Sequence, residues 1–276
     1  MIFTSNTMKI NFKDALAYLT FNSLSELPFI KHAFSTRLGG VSTGEFNSLN
    51  MSFNRGDSDE NVTENYRRLC GAVGIEYESL VASAQDHHTV IRKVTSKEKG
   101  IGIYKPRDMD SVDGLITNEK GVTLVTYFAD CTPILLVDTK NKAIGAAHAG
   151  WRGTVAQIGR VIIEKMIDEY GTEPRDIIAA IGPTINKCCY EVDKPVADKF
   201  TEIKGTDPSK FVNDIGGGKY MIDLLEANRQ ILLSSGVQLT NITLSDVCTK
   251  CNCDVVWSHR ATGGKRGGMC ALLELV

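Results

Sequence analysis

Three apolar runs, Val122–Tyr127, Ile134–Val137 and Ala143–Ala147, follow one another closely in the middle of the chain. Runs this short, bounded by polar or turn-forming residues, have the length of buried strands, so the fold must be built around a sheet. Chemically capable residues stand at their ends. Phe128-Ala-Asp130-Cys131-Thr-Pro133 lies between the first two, and Ala147-His148-Ala-Gly-Trp151-Arg152-Gly-Thr154 follows the third. One strand–turn–strand unit joins Cys131 to His148, and antiparallel pairing of its strands would bring the two side chains together.

Outside this block helices and strands are mixed. Phe29–Phe53, rich in Gly, Ser, Thr and Asn, reads as a strand leading into a long polar loop. Asp59–Val73 reads as a helix closed by Gly74, and Val81–Gln85 and Thr89–Val94 as strands with His87 and His88 at their join. Thr154 is the expected N-cap of a helix whose apolar stripe is Val155, Ile158, Ile162, Met166 and Ile167, stopped by Gly171 and Pro174. Ile177–Ile181 reads as a strand, followed by a loop holding vicinal Cys188 and Cys189. A second helix over Asp223–Ser235 buries Leu224, Leu225, Ala227, Ile231 and Leu232. Ile242–Leu244, Val255–Ser258 and the segment from Met269 supply the last strands. Strict β-α alternation is absent, so the expected fold class is α+β, with mixed sheets and flanking helices in a single domain over residues 1–276.

Composition narrows the function. The formal charge of −2 gives no basic footprint for nucleic acid. The apolar runs are too short to span a bilayer, and the N-terminal MIFTSNTMKINFKDALAYL lacks the continuous apolar centre of a signal peptide. The expected location is the cytoplasm, where the eight cysteines would be reduced thiols.

His87, in Gln85-Asp86-His87-His88, joins Cys131 and His148 as the donor set of an open zinc site, with a fourth position left for water. A metal-free reading uses His148 as base for the Cys131 thiolate, with Asp130 or Gln85 orienting the imidazole. Spacing does not separate the two, but a dyad has no need of a third histidine. Cys248-x2-Cys251-x-Cys253 lacks a fourth zinc ligand at the right spacing, with Cys270 the only candidate downstream, and is read as free buried thiols. Cys188-Cys189 is read as packing. Arg37, Arg55, Arg152 and Arg260 lie in Gly-rich loops, where their forked donors suit phosphate.

With these residues assembled, the chain resembles the laccase-like multicopper polyphenol oxidoreductase domain family, whose members are now regarded as purine nucleoside phosphorylases and in part described as peptidoglycan editing factors. The resemblance runs from about His32 to Met269. It rests on Ser35-Thr-Arg-x-Gly-Gly-Val-Ser42 with Ser48-Leu-Asn50, Gln85-x-His87, Asp113-Gly-Leu-Ile-Thr117, Ala129-Asp-Cys-x-Pro133 and Ala147-His-Ala-Gly-Trp-Arg-Gly-Thr154. Ile181-Gly-Pro183, Cys188-Cys-Tyr190, Asp223-Leu with Ala227-Asn228, Cys248-Thr249 and Ser258-His-Arg260 extend it.

The resemblance implies zinc held by His87, Cys131 and His148, with Asp130 and Arg152 as further catalytic candidates. Arg37, Ser48, Asn50 and Arg152 are the implied substrate contacts. The implied reactions are phosphate-dependent cleavage of adenosine, inosine and methylthioadenosine, and deamination of adenosine, by a monomer or weak homo-oligomer acting without nucleic acid or membrane. The implied fold is similar to the catalytic domain of cytotoxic necrotizing factor. A metal-free Cys–His amidase editing peptidoglycan precursors is the alternative. A copper polyphenol oxidase fits less well, because five histidines cannot furnish a blue-copper site and a separate multinuclear centre.

Two departures from the family pattern stand out. His88 replaces the usual Gly after the Gln-x-His histidine and competes with His87 as ligand. The C-terminal block, usually close to SxRRDGxTGRM, reads Ser258-His-Arg-Ala261-Thr262-Gly-Gly-Lys-Arg-Gly-Gly268-Met269. It lacks two arginines, for which Lys265 or Arg266 could substitute.

Overall fold

A computed structural model describes residues 4–276. The three central runs become the strands Thr123–Phe128, Thr132–Asp138 and Ala143–Ala149, and the last two are buried along their whole length. They belong to two different sheets. Thr123–Phe128 lies in a six-stranded sheet ordered Met8–Lys13, Leu16–Phe21, Ile30–Ser35, Met269–Leu275, Thr123–Phe128, Leu80–Ala82. The second, also six-stranded, runs Ile242–Leu244, Ile177–Ile181, Thr132–Asp138, Ala143–Ala149, Gly114–Thr117, Ile91–Lys93. Each sheet mixes antiparallel pairs with at least one parallel pair at an edge.

Strand alternation explains why these runs have no polar face. In Thr132–Asp138, Leu135 and Val137 point into the space between the sheets, where they join Phe34, Leu124, Phe128 and Leu273. Ile134 and Leu136 point the other way, against Ile158, Ile162 and Met166 of the helix Ile158–Tyr170 and Leu232 of the helix Leu224–Ser234. The outer face of the first sheet is covered in the same manner by Asp59–Val73, whose Val62, Tyr66 and Leu69 meet Val125 and Leu272. The result is an α+β sandwich of two mixed sheets with helices on both outer faces. Phe21, Phe34 and Phe128 seal its centre through edge-to-face ring contacts at 5.5 and 6.0 Å.

Small residues in Ala143–Ala149 let the covering helix approach closely. A Cβ on Gly145 would lie 3.0 Å from Ile162 Cδ1 and 3.1 Å from Met166 Sδ. Asp59–Val73 begins and ends as expected, with the Ser58 side chain accepting from Asn61 N and Gly74 in the left-handed region at φ 77°. Leu224–Ser234 is capped by Asp223, which accepts from Glu226 N.

Several expected boundaries differ. The helix assigned to Thr154 starts at Trp151, with Gly150 as N-cap, runs to Val155, and breaks where Gln157 takes φ 58° before Ile158–Tyr170 resumes. Thr154 is buried inside the first piece, where its hydroxyl accepts from Asn228 Nδ2. Ile167 is 39% exposed, because the break re-phases the stripe. Val81–Gln85 and Thr89–Val94 shorten to Leu80–Ala82 and Ile91–Lys93. Val255–Ser258 is buried turn, not strand. No helix is long and apolar enough to cross a membrane among the described residues.

Candidate metal centre

The centre forms where strand ends of the second sheet meet the loop after Leu80–Ala82. Cys131 immediately precedes Thr132–Asp138, and His148 is the penultimate residue of Ala143–Ala149. Antiparallel register pairs Thr132 with Ala149 and Pro133 with His148, which puts Cys131 beside His148. His87 arrives from the loop at φ 70°. One ligand atom from each of His87, Cys131 and His148 lies within 4.8 Å of the others, and the two imidazoles are 4.8 Å apart by ring centroids at 62°.

Asp113 organises this group, and sequence reasoning gave it no role. Its strand, Gly114–Thr117, pairs Gly114 with Ala147, so Asp113 lies alongside His148. Its carbonyl accepts from His148 N at 2.8 Å, and its carboxylate receives His148 Nδ1 at 2.8 Å. The same carboxylate accepts the backbone N–H groups of Asp86, His87 and His88 at 3.0–3.1 Å. One buried anion therefore fixes the left-handed turn that presents His87 and sets the tautomer of His148, leaving Nε2 free to bind. Asp113 is fully buried, yet its hydrogen bonds outweigh desolvation and hold its pKa down at about 2. Burial alone would push His148 down, but the Cys131 thiolate and Asp113 outweigh it and raise its pKa to about 9. His87 is lowered, chiefly by desolvation and then by His148.

Two imidazoles and one thiolate, with a carboxylate behind one imidazole, are a donor set that fits zinc. His88 stands outside the group, its ring exposed and Nδ1 2.9 Å from Asp86 Oδ2. Asp130 and Gln85, the expected orienting partners, are occupied elsewhere. Gln85 bridges the N and O of Tyr127. Asp130, at φ 81°, accepts from Thr249 Oγ1 at 2.5 Å and Arg260 N at 2.6 Å.

Two cavities meet at this group and share Arg55, His87, Ala129, Cys131 and Arg266. One, of about 440 Å³, is polar and takes Arg107, Asn54 and Ser52. The other, of about 560 Å³, is walled by Trp151, Tyr190, Ile185, Val192 and Leu224 and is also lined by Asp130, Arg152 and Arg260. Arg152 is exposed, its guanidinium 4.3 Å from the Trp151 ring.

Arg37, Ser48 and Asn50 line neither cavity. The Arg37 guanidinium lies over Trp257 at 4.0 Å and donates to the carbonyls of Asn47 and Cys253. Ser48 Oγ accepts from Gly39 N and Gly40 N, and Asn50 holds Ser52 N, Gly268 N and Asp57. These three side chains shape the loop that delivers Ser52 to Arg55, which explains how a chemically suggestive motif can serve architecture.

Residues 31–276 match the sequence family described as multi-copper polyphenol oxidoreductase laccase. The chain belongs to that family. A Bacillus subtilis protein named purine nucleoside phosphorylase YlmD is 36% identical over 243 residues, 88% of this chain and 87% of its own. A Bacteroides thetaiotaomicron protein named purine nucleoside phosphorylase is 37% identical over 250 residues, covering 90% of this chain and 93% of its own. The crystal structure of Bacillus licheniformis hypothetical protein YfiH aligns with a TM-score of 0.91 at 32% identity, covering 98% of this chain and 100% of that one. Within the family pattern, the divergent C-terminal block keeps one arginine at the site, because Arg266 turns inward to line both cavities.

Proposed function

We propose that the chain is a zinc-dependent purine nucleoside phosphorylase, acting on adenosine, inosine and methylthioadenosine and deaminating adenosine. The observation that carries this reading is the arginine-lined cavity opening onto the His87–Cys131–His148 group. Ion pairs among the described residues engage Arg68, Arg92, Arg175 and Arg229, but not Arg55, Arg107 or Arg266. Arg266 is only 8% exposed and its buried Nε has no hydrogen-bond partner. Burial and the charge of Arg55 lower its pKa to about 10, so it stays cationic at neutral pH. The desolvated Arg266 guanidinium, without a carboxylate partner and with exposed Arg55 and Arg107 beside the same cavity, calls for an external oxyanion such as phosphate.

The second cavity supplies what a purine needs: the rings of Trp151 and Tyr190 beside aliphatic walls. With the base there and phosphate among Arg55, Arg107 and Arg266, the glycosidic bond falls at the junction. A phosphate oxygen then bonds to the sugar C1′ as the C1′–N9 bond breaks. The bonding pair leaves with the purine, which takes up the proton that the phosphate gives up as it becomes the ester. The arginines hold the attacking anion in place, which removes most of the orientational cost, and the cavity walls exclude competing water. His87, Cys131 and His148 would hold the zinc, which when bound supplies a Lewis acid at that junction. The group holds two histidines, too few for a multinuclear copper centre.

One observation favours a second reading. Cys131, His148 and Asp113 stand in the order of a nucleophile, base and orienting carboxylate, as a metal-free amidase requires. Incubating the purified protein with inosine, with and without phosphate, separates them. The proposal expects hypoxanthine and ribose 1-phosphate in equal amounts, only when phosphate is present. Free ribose released regardless of phosphate, or intact inosine alongside chelator-insensitive cleavage of peptidoglycan peptides, would overturn it.

A further inference from the structure

The structure brings together four cysteines that the sequence leaves apart. The loop after Ile177–Ile181 carries Cys188 and Cys189, the loop after Ile242–Leu244 carries Cys248 and Cys251, and all four Sγ atoms lie within 4.8 Å of one another. We propose that Cys188, Cys189, Cys248 and Cys251 form a second, structural zinc site that ties these two loops together behind the reaction centre.

The sulfur spacing carries the argument. Cys188 and Cys189 are 3.7 Å apart, Cys188 and Cys251 3.6 Å, and Cys189 and Cys251 3.4 Å. A zinc with four thiolates at about 2.3 Å sets tetrahedral edges of about 3.8 Å. The separations sit near that edge, far from a disulfide's bond of about 2.05 Å, while a cluster of several metal atoms would hold its thiolates farther apart. Cys248-x2-Cys251 is half of a zinc ribbon, and the vicinal pair supplies the other half from across space. Asn186 N donates to Cys248 Sγ at 3.4 Å, the amide-to-sulfur contact that stabilises a coordinated thiolate. Cys188 and Cys251 are exposed, so an ion has a path in.

The site's position gives it a task. Both loops grip Asp130, the residue before Cys131. Thr184 Oγ1 donates to the Asp130 carbonyl at 2.5 Å and Ile185 N at 3.1 Å, from one loop. Thr249 Oγ1 donates to its carboxylate from the other. Backbone contacts such as Thr249 N to Thr184 O at 2.9 Å also join the loops. Asp130 is held at φ 81°, a strained position for a non-glycine residue, so what clamps the loops also keeps Cys131 aimed. Tyr190, a wall of the aromatic cavity, directly follows the vicinal pair.

The test uses the full-length chain, purified under reducing conditions without added metal. Cys131→Ala removes a donor from the reaction centre only, so that variant should keep one zinc per chain, released by a thiol-blocking mercurial. Its cobalt-exchanged form should show the intense thiolate-to-metal absorption of a four-sulfur tetrahedral site. Cys251→Ser should lose that ion and absorption and raise the KM for nucleoside more than it lowers kcat, through the loosened Tyr190 wall. If Cys251→Ser does not fold, the cobalt spectrum of Cys131→Ala still decides. Cys131→Ala protein with no bound metal and four freely titrating thiols in this cluster would overturn the proposal. So would a disulfide between any two of them, found by mass spectrometry after thiol blocking in the cell.

Discussion

Gly150→Ala tests how tightly the backbone is drawn around the reaction centre. Gly150 has φ −64° and ψ 171°, a conformation alanine adopts freely, so the substitution brings no backbone strain. Its Cβ, however, would lie 2.5 Å from His87 Nδ1, 3.1 Å from His87 Cε1 and 3.2 Å from Cys131 Sγ. Ordinary contact needs about 3.5 Å, so the His87 ring must give way by about 1 Å. A displacement of that size costs about 100-fold in kcat/KM, and a disturbed ligand costs about 10- to 100-fold in metal affinity. The global fold has no reason to suffer, and Tm should stay within about 3 °C of the parent. The assay is phosphorolysis of inosine beside a zinc titration and a thermal melt. Wild-type zinc affinity and turnover in Gly150→Ala would refute the close-approach argument. A collapse of Tm would show that the strain spreads into the fold instead of falling on the ligands.

The other perturbations read separate parts of the account. Arg266→Ala removes charge-assisted hydrogen bonds worth about 1.5–3 kcal/mol, so KM for phosphate should rise about 10- to 100-fold; an unchanged KM for phosphate would remove Arg266 from the anion site. Asp113→Asn keeps the shape but weakens the grip on His148 and the 86–88 turn, and zinc affinity should fall about 10- to 100-fold by competition with a chelator; unchanged affinity would remove Asp113 from the centre's design. His32 reports on the sandwich core: its Nε2 accepts from Phe21 N at 2.8 Å, and burial lowers its pKa from 6.5 to about 4. The unfolded chain therefore takes up a proton below pH 6.5 while the folded one does not. Relative to His32→Gln, the parent should lose about 3 kcal/mol as pH falls from 6.5 to 4, and no more below. Urea midpoints at pH 7 and pH 4 measure it, and a pH-independent difference would contradict the burial.

How legible this was depends on whether the information was local. The helix Asp59–Val73 could be read to the residue because its stop, Gly74, is short-range punctuation. The strand pair holding Cys131 and His148 was legible for the same reason, since one turn links them. The break at Gln157 was not, because Thr154 looks like a cap in sequence but is buried against Asn228 of a distant helix. Asp113 has no legible role in sequence because its partner, His148, is set by cross-strand register 35 residues away. The four-thiol cluster was missed because its halves are 60 residues apart, from Cys188 to Cys248, and a C-x2-C with no local partner looks incomplete. Arg37 is the converse case. A loop arginine beside glycines looks like an anion ligand, but its guanidinium lies over Trp257 and donates to the carbonyls of Asn47 and Cys253.

The central claim is that His87, Cys131 and His148 hold a zinc on which phosphorolysis depends. The most direct measurement is the initial rate of ribose 1-phosphate formation from inosine and phosphate in protein stripped of metal by chelation, then reloaded with stepwise zinc. The account predicts loss of activity on stripping and recovery on reloading in the parent, and no recovery in His87→Ala at any zinc concentration that leaves its fold intact. Full activity in stripped protein with metal absent by elemental analysis would contradict it.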